Sequence, residues 1–220
     1  MDKKKIFIYS YNLGIGGIER SLIGLLEAID YSKYSVDLYL LKHEGELMEL
    51  IPKQVNLLPE DKKSEVFGIS IADAYKRGYI YEASVRLYAK IKGALLKKKH
   101  PDLGVDYLGN LYHRLILERF PKNEKKYDLA LSFYFPHYYT LRNINAKCYV
   151  GWIHTDYSKL YLRKKETLPM FMKLDKIAAI SKEAGEALIS VMPELKEKII
   201  VIENIFSPES IRMQADKAYY

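Results

Sequence analysis

Three glycines stand directly before a segment of helical periodicity, in the run Asn12-Leu13-Gly14-Ile15-Gly16-Gly17-Ile18-Glu19-Arg20-Ser21. Glycine lets the backbone come close to a ligand, and a helix start offers unpaired N–H groups and a positive dipole end to an anion such as phosphate. Gly16 and Gly17 suit that chemistry; they equally suit a tight turn with close helix packing. A dinucleotide-binding G-x-G-x-x-G would need glycine at 19, where the chain has Glu19, and the Gly-Lys-Ser/Thr of a P-loop is missing. Glu19 itself sits where an acidic group complements the helix dipole. Of the five histidines, His43, His100 and His113 invite only a structural reading. His154 follows an apolar run and lies two residues before Asp156, so both can face one cleft from a loop. Asp156 can orient the imidazole, bind a hydroxyl or cap a helix. His137, in Phe135-Pro136-His137-Tyr138-Tyr139, sits among rings that suit packing or carbohydrate stacking. Ser181 and Asn204 each follow a further apolar run.

Such scattered residues need elements that bring them together. Lys5–Ser10 predicts a short strand, the glycines a turn, and Leu22, Ile23, Leu25, Leu26 and Ile29 a helix over Ile18–Ile29. Val36–Leu41 and Val55–Leu58 predict two more strands. From Ile69 to Phe120 the patterns are helical, which predicts an insertion on one face. Strands then return at Tyr127–Phe133, Lys147–Trp152, Lys176–Ile180 and Lys198–Ile202, with a helix over Lys182–Met192. This alternation predicts an α/β fold: a Rossmann-like, mostly parallel sheet with helices on both faces. In such sheets ligands bind outside the carboxyl ends of the strands, which places Gly14–Glu19, Phe133–His137, His154–Tyr157, Ser181 and Asn204 on one rim.

At 220 residues and 49% hydrophobic composition the chain can bury a single sizeable core, and its 29% charged residues are spread throughout, which excludes a disordered protein. Cys148 has no partner for a disulfide or a metal site, which fits a reducing compartment. The apolar run after the basic N-terminus is too short for an export signal, and no segment is long and apolar enough to span a membrane. A cytoplasmic protein is expected, with any membrane contact peripheral. The net charge of +7 draws it towards an acidic partner. The tyrosines do not form the patterns of RNA readers and no zinc-finger or basic-zipper spacing occurs, so nucleic acid is not expected. Arg86, Lys90, Lys92, Lys97, Lys98 and Lys99 interleave with Leu87, Tyr88, Ile91, Leu95 and Leu96. That pattern suits a helix lying on anionic lipid, or a solvated face over a core stripe.

Four segments, in order, resemble glycosyltransferase family 4, of the two-domain GT-B class. The glycine run is similar to the family's Gly-Gly-x-Glu loop, and Trp152-Ile153-His154-Thr155-Asp156-Tyr157 to its Trp-x-His-x-Asp segment. Ile177-Ala178-Ala179-Ile180-Ser181-Lys182 resembles its strand ending in Ser-Lys or Ser-Glu, and Lys198-Ile199-Ile200-Val201-Ile202-Glu203-Asn204 its Lys-Ile-x-Val-x-x-Asn strand. The resemblance implies an N-terminal, acceptor-side half of a retaining transferase, taking a nucleotide-sugar donor and a glycan or lipid-linked acceptor. It implies His154 near the reaction centre, with Gly16, Gly17, Glu19, Asp156, Ser181 and Asn204 binding acceptor or phosphate. It implies no metal, no cofactor and no protein nucleophile. Members that extend lipid-linked glycans reach them at the cytoplasmic leaflet, a task that fits Arg86, Lys90, Lys97, Lys98 and Lys99.

In the family a basic pair and a Glu-x7-Glu element on the second domain hold the donor. Glu186 and Glu194, and Glu19 and Glu27, have that spacing outside the family's context. The expected division is residues 1–205 as the Rossmann-like domain and 206–220 as the start of a crossover to an absent donor-binding domain, leaving these residues inactive alone. The alternatives are a non-catalytic acceptor- or membrane-binding subunit that pairs with a donor-binding chain, and a flavodoxin-like or nucleotide-binding regulator.

Overall fold

The fold is organised around β1 (Lys4–Ser10), in which Phe7, Ile8 and Tyr9 are all fully buried. Burial of consecutive residues means that both faces are covered, as in the interior of a parallel sheet. The computed structural model describes residues 2–100 and 105–205. After β1 come α1 (Gly17–Ala28), β2 (Tyr34–Leu40) and β3 (Asn56–Leu57), then the helices α2 (Ile71–Lys76), α3 (Ile80–Lys97) and α4 (Val105–Ile116). The second half holds β4 (Asn123–Tyr127), β5 (Leu129–Ser132), α5 (Tyr138–Asn143), β6 (Ile144–Ala146) and β7 (Tyr149–Ile153). It continues with α6 (Lys164–Phe171), β8 (Lys176–Ala179), α7 (Lys182–Val191) and β9 (Ile199–Val201).

Seven strands form one sheet in the order β3-β2-β1-β5-β7-β8-β9, and all of its pairings are parallel. The chain runs outward from β1 to β3, returns to β5 on the other side of β1, and continues to β9. Its direction therefore reverses between β1 and β5, the position where open α/β sheets leave a crevice for ligands. β4 and β6 pair only with each other.

Helices cover both faces. On one, Leu22, Ile23 and Leu26 of α1 pack against Ile8, Leu38, Leu40, Leu131, Phe133 and Trp152. On the other, Val85, Ile116 and Leu117 from the helical insertion meet Phe7, Tyr9, Tyr39 and Ala130, and further along Phe171 and Leu188 meet Ile153, Ile177 and Ala179. Burying each large apolar side chain contributes about 1.5–3 kcal/mol. Tyr139 stacks on Tyr39 at 4.6 Å and on Tyr9 at 5.2 Å between ring centroids, which locks α5 onto this face.

The architecture agrees with the doubly wound sheet and one-sided insertion expected from the sequence; the differences are local. Tyr127–Phe133 is not one strand: Tyr127 ends β4, and only Leu129–Ser132 joins the main sheet. The cause is a buried charge. Asp37 of β2 accepts from Tyr127 Oη at 2.7 Å, Lys125 Nζ at 2.6 Å and Asn56 Nδ2 at 2.9 Å, and so holds β4 beside the sheet edge. Burial pushes the Asp37 carboxyl up, but these three bonds outweigh it and keep its pKa below the ordinary value. β3 is shorter than expected, at two residues. α5 and α6 were not foreseen: α5 is too short to show a period, and α6 contains Pro169. The expected crossover over 206–220 lies outside the described residues. Among the described residues no helix is long and apolar enough to cross a membrane.

Candidate functional site

The loop from β1 to α1 opens the rim. Gly16 is the N-cap of α1 (φ −103°, ψ 168°) and offers no side-chain hydrogen bond to the first turn. A methyl group at Gly16 would collide with the carboxylate of Glu19, whereas at Gly14 and Gly17 it would meet nothing within 4 Å. Glu19 thus fills the space over Gly16, and Gly17 looks onto open space at the helix start. The loop is held from behind by Gly45, at φ +119°, where any Cβ would strike the Leu13 backbone. Leu13 N donates to Glu44 O at 3.0 Å, and Leu47 N donates to Leu13 O at 2.9 Å. Two residues of the first turn escaped the sequence reading of the site. Arg20 has a buried Nε without a partner, and Ser21 Oγ donates to Asn204 Oδ1 at 2.7 Å, tying α1 to the segment after β9.

His154 lies one residue past β7, its ring 4.6 Å from that of Phe133 and stacked on Trp152 at 6.1 Å with 12° between planes. Both of its ring nitrogens are buried without a hydrogen-bond partner, as is Trp152 Nε1. Burial lowers the His154 pKa to about 4, against a weaker opposing effect of the Phe133 backbone. The imidazole is therefore neutral at pH 7. His137 is fully buried, with Nδ1 2.8 Å from Ser132 Oγ and its ring between Phe135 and Phe171 at 5.9 and 5.5 Å. Of the two readings of His137, the structure selects packing. The missing side chain of Gly151 makes the room, since a Cβ there would lie 3.0 Å from His137 Nε2.

Asp156 does not orient His154, whose nitrogens have no partner. It caps the short turn Tyr157–Lys159, accepting from Ser158 N at 3.0 Å and Ser158 Oγ at 2.5 Å and pairing with Lys159 at 3.0 Å. The Ser158 and Lys159 contacts hold its carboxyl below the usual range. Ser181 caps α7, accepting from Ala184 N at 3.2 Å. The rim thus brings Gly16, Gly17, Glu19, His154, Asp156, Ser181 and Asn204 to one edge of the sheet, but it makes structural use of Glu19, Asp156, Ser181 and Asn204.

On α3 the buried side is formed by small residues, Ala83, Val85, Ala89 and Gly93, with Leu108 of α4 pressed against Gly93. Leu87, Tyr88, Ile91 and Leu95 point outward, at 49, 51, 52 and 62% exposure. They are not a core stripe. Lys90, Lys97, Lys98 and Lys99 are exposed around them. Arg86, grouped with these lysines by sequence, is turned inward: Nη1 donates to the Val66 and Ile69 carbonyls at 2.6 and 2.7 Å and clips α3 to the segment before α2. Lys92 faces Glu166 at 3.7 Å. Among the described residues no group of three or more His, Cys, Asp or Glu side chains could hold a metal ion.

No family model and no curated protein matches the sequence. Solved structures do match. HepE from Anabaena, in complex with UDP-glucose, is 13% identical with a TM-score of 0.45, over 97% of this chain and 49% of that one. A glycosyltransferase from Rickettsia africae is 14% identical with a TM-score of 0.46, over 99% and 50%. A protein described as a UDP-N-acetylglucosamine 2-epimerase, from Listeria monocytogenes, is 12% identical with a TM-score of 0.39, over 90% and 45%. The chain spans about half the length of these proteins, and a likeness at this level concerns the fold, not the chemistry.

Proposed function

We propose that this chain is the acceptor-side, Rossmann-like half of a retaining GT-B glycosyltransferase resembling family 4. It would move a sugar from a nucleotide-sugar donor to a glycan or lipid-linked acceptor of the cell-envelope or capsular type, at the cytoplasmic face of the membrane. The observation that carries the reading is His154, a neutral imidazole with both nitrogens unpartnered at the ligand-binding edge of a doubly wound sheet. A buried polar group left unpaired costs about 1–3 kcal/mol, which an incoming hydroxyl would recover. A neutral imidazole can donate from one nitrogen and accept at the other, and so can position an acceptor or sugar hydroxyl. Beside it, the uncapped start of α1 and the open space over Gly17 suit a phosphate, with Arg20 adding a cation. In this reading catalysis rests on positioning and on the electrostatics of the departing diphosphate, much of which the resemblance assigns to a second domain.

The outward ridge of α3 supports peripheral membrane binding: apolar side chains ringed by lysines match the headgroup boundary of anionic lipid. The same ridge would serve a non-catalytic subunit. One experiment separates the two. The full-length protein is given radiolabelled UDP- and GDP-sugars with a lipid extract in vesicles containing phosphatidylglycerol. Transfer of label with retained anomeric configuration is expected. Vesicle binding without transfer from any of these donors would select the non-catalytic subunit.

A further inference from the structure

On the α4 side of the sheet edge, where the strand order reverses between β1 and β5, lies a cavity of about 360 Å³. Its size is that of a small-molecule site, about 300–1,000 Å³. Tyr11 enters it from the end of β1 and Tyr134 from the end of β5, their rings 5.4 Å apart and tilted by 34°. The opposite wall is α4, with Asn110, Tyr112 and His113. None of these five belongs to the residues singled out above for the rim.

Two polar groups in this wall lack partners. Asn110 and His113 are only 3 and 5% exposed, yet Asn110 Oδ1 and His113 Nδ1 make no hydrogen bond. The Asn110 amide is engaged, Nδ2 donating to Thr167 Oγ1 at 3.5 Å, which leaves the carbonyl oxygen as its unmet end. Burial lowers the His113 pKa to about 3, so its ring is uncharged and can meet a hydroxyl as acceptor or donor. The two residues are three apart on one helix face, a spacing of about 5–6 Å between Cβ atoms, comparable to the separation of hydroxyls on a six-membered ring. No Lys, Arg, Asp or Glu is among the described lining residues, so nothing there neutralises a phosphate or a carboxylate. A purely apolar ligand would leave both polar atoms unmet.

We infer that this cavity holds one neutral sugar ring, its C–H face against Tyr11 and Tyr134 and two of its hydroxyls on Asn110 and His113. That the ring belongs to the acceptor rests on the transferase reading; the site itself does not. β1 and β7 are separated only by β5, so their ends lie about 10 Å apart. A ring in the cavity is then one or two sugar units from His154, across the edge of the sheet.

The test is binding, by saturation-transfer difference NMR on the 220-residue chain with methyl α-glucoside, methyl α-galactoside, methyl α-mannoside and N-acetylglucosamine. At least one should show saturation of its ring protons, with affinity at least fivefold weaker in Tyr11→Ala and in Asn110→Leu. Asn110→Leu removes an unmet oxygen and is expected to melt no lower than the parent, which separates lost binding from lost folding. Absence of saturation for all four sugars, or unchanged affinity in both variants, overturns the proposal. Sugar binding that depends on Tyr11 and Asn110 in a protein that transfers from no nucleotide sugar would sink the transferase reading and leave this site standing.

Discussion

His154 owes its chemistry to three neighbours rather than to its own position in the sequence. Phe133 and Trp152 strip water from the ring and leave its nitrogens without partners, and the Asp156 two residues on is occupied with its own turn. His154→Ala in the full-length enzyme is expected to lower kcat/KM more than tenfold, the loss of about 1.4 kcal/mol of transition-state stabilisation. The melting temperature should change little, because no hydrogen bond is broken. Paired kinetics and thermal melts check this, and near-normal kinetics in a destabilised protein would return His154 to the core. The glycines separate in the same way. Gly16→Val displaces the Glu19 carboxylate and so mixes stability with function, whereas Gly17→Val meets only open space. Gly17→Val should reduce transfer at least fivefold with an unchanged melt if a ligand approaches the start of α1. The type and place of Gly17 and His154 were legible in the sequence. The split between Gly16 and Gly17 was not, because it depends on where one flexible glutamate lies.

At the scale of elements, the glycine loop is as rigid as the segment behind it. Gly45 is at φ +119° and touches the Leu13 backbone, so no other residue fits without moving the loop. Gly45→Ala adds backbone strain and a steric clash, together about 2–4 kcal/mol. A drop in unfolding free energy of that size is expected by urea titration, and a neutral result would show that the loop has freedom absent here. The sequence pointed to the Gly14–Gly17 loop from its position between a strand and a helix, but Gly45 carries no local signal of its role. The same holds for α3. Its apolar spacing announced an amphipathic helix, but not which side faced inward, because Ala83, Ala89 and Gly93 allow closer packing against α4 than the larger residues would.

The whole molecule buries three neutral histidines, and its stability should depend on pH accordingly. The folded pKa values of His113 and His137 are about 3 and that of His154 about 4, all through burial and all below the ordinary 6.5. As pH falls through 6.5 the unfolded chain takes up protons that the folded chain refuses. Their contribution is complete above about pH 6.5 and is lost progressively towards pH 3, with a limiting slope of about 1.4 kcal/mol per pH unit for each group. Asp37, depressed by its partners, adds a loss in the same direction at lower pH. Urea unfolding between pH 8 and 4.5 should show a plateau above 6.5 and a steep fall below it. A flat profile down to pH 5 would mean that these rings are hydrated.

The periodicities of the sequence alone determined the strand and helix succession, the parallel sheet and the edge on which ligands sit, because alternation and strand ends are local properties of the chain. Only the tertiary structure decided the rest. It turned Leu87, Tyr88, Ile91 and Leu95 outward and Arg86 inward, put His137 in the core, and gave Asp156 and Ser181 to helix caps. It also made a cavity from Tyr11, Asn110, His113 and Tyr134, residues about a hundred positions apart. Burial and unmet hydrogen bonds belong to pairs of distant segments, and no window of sequence contains both members of such a pair.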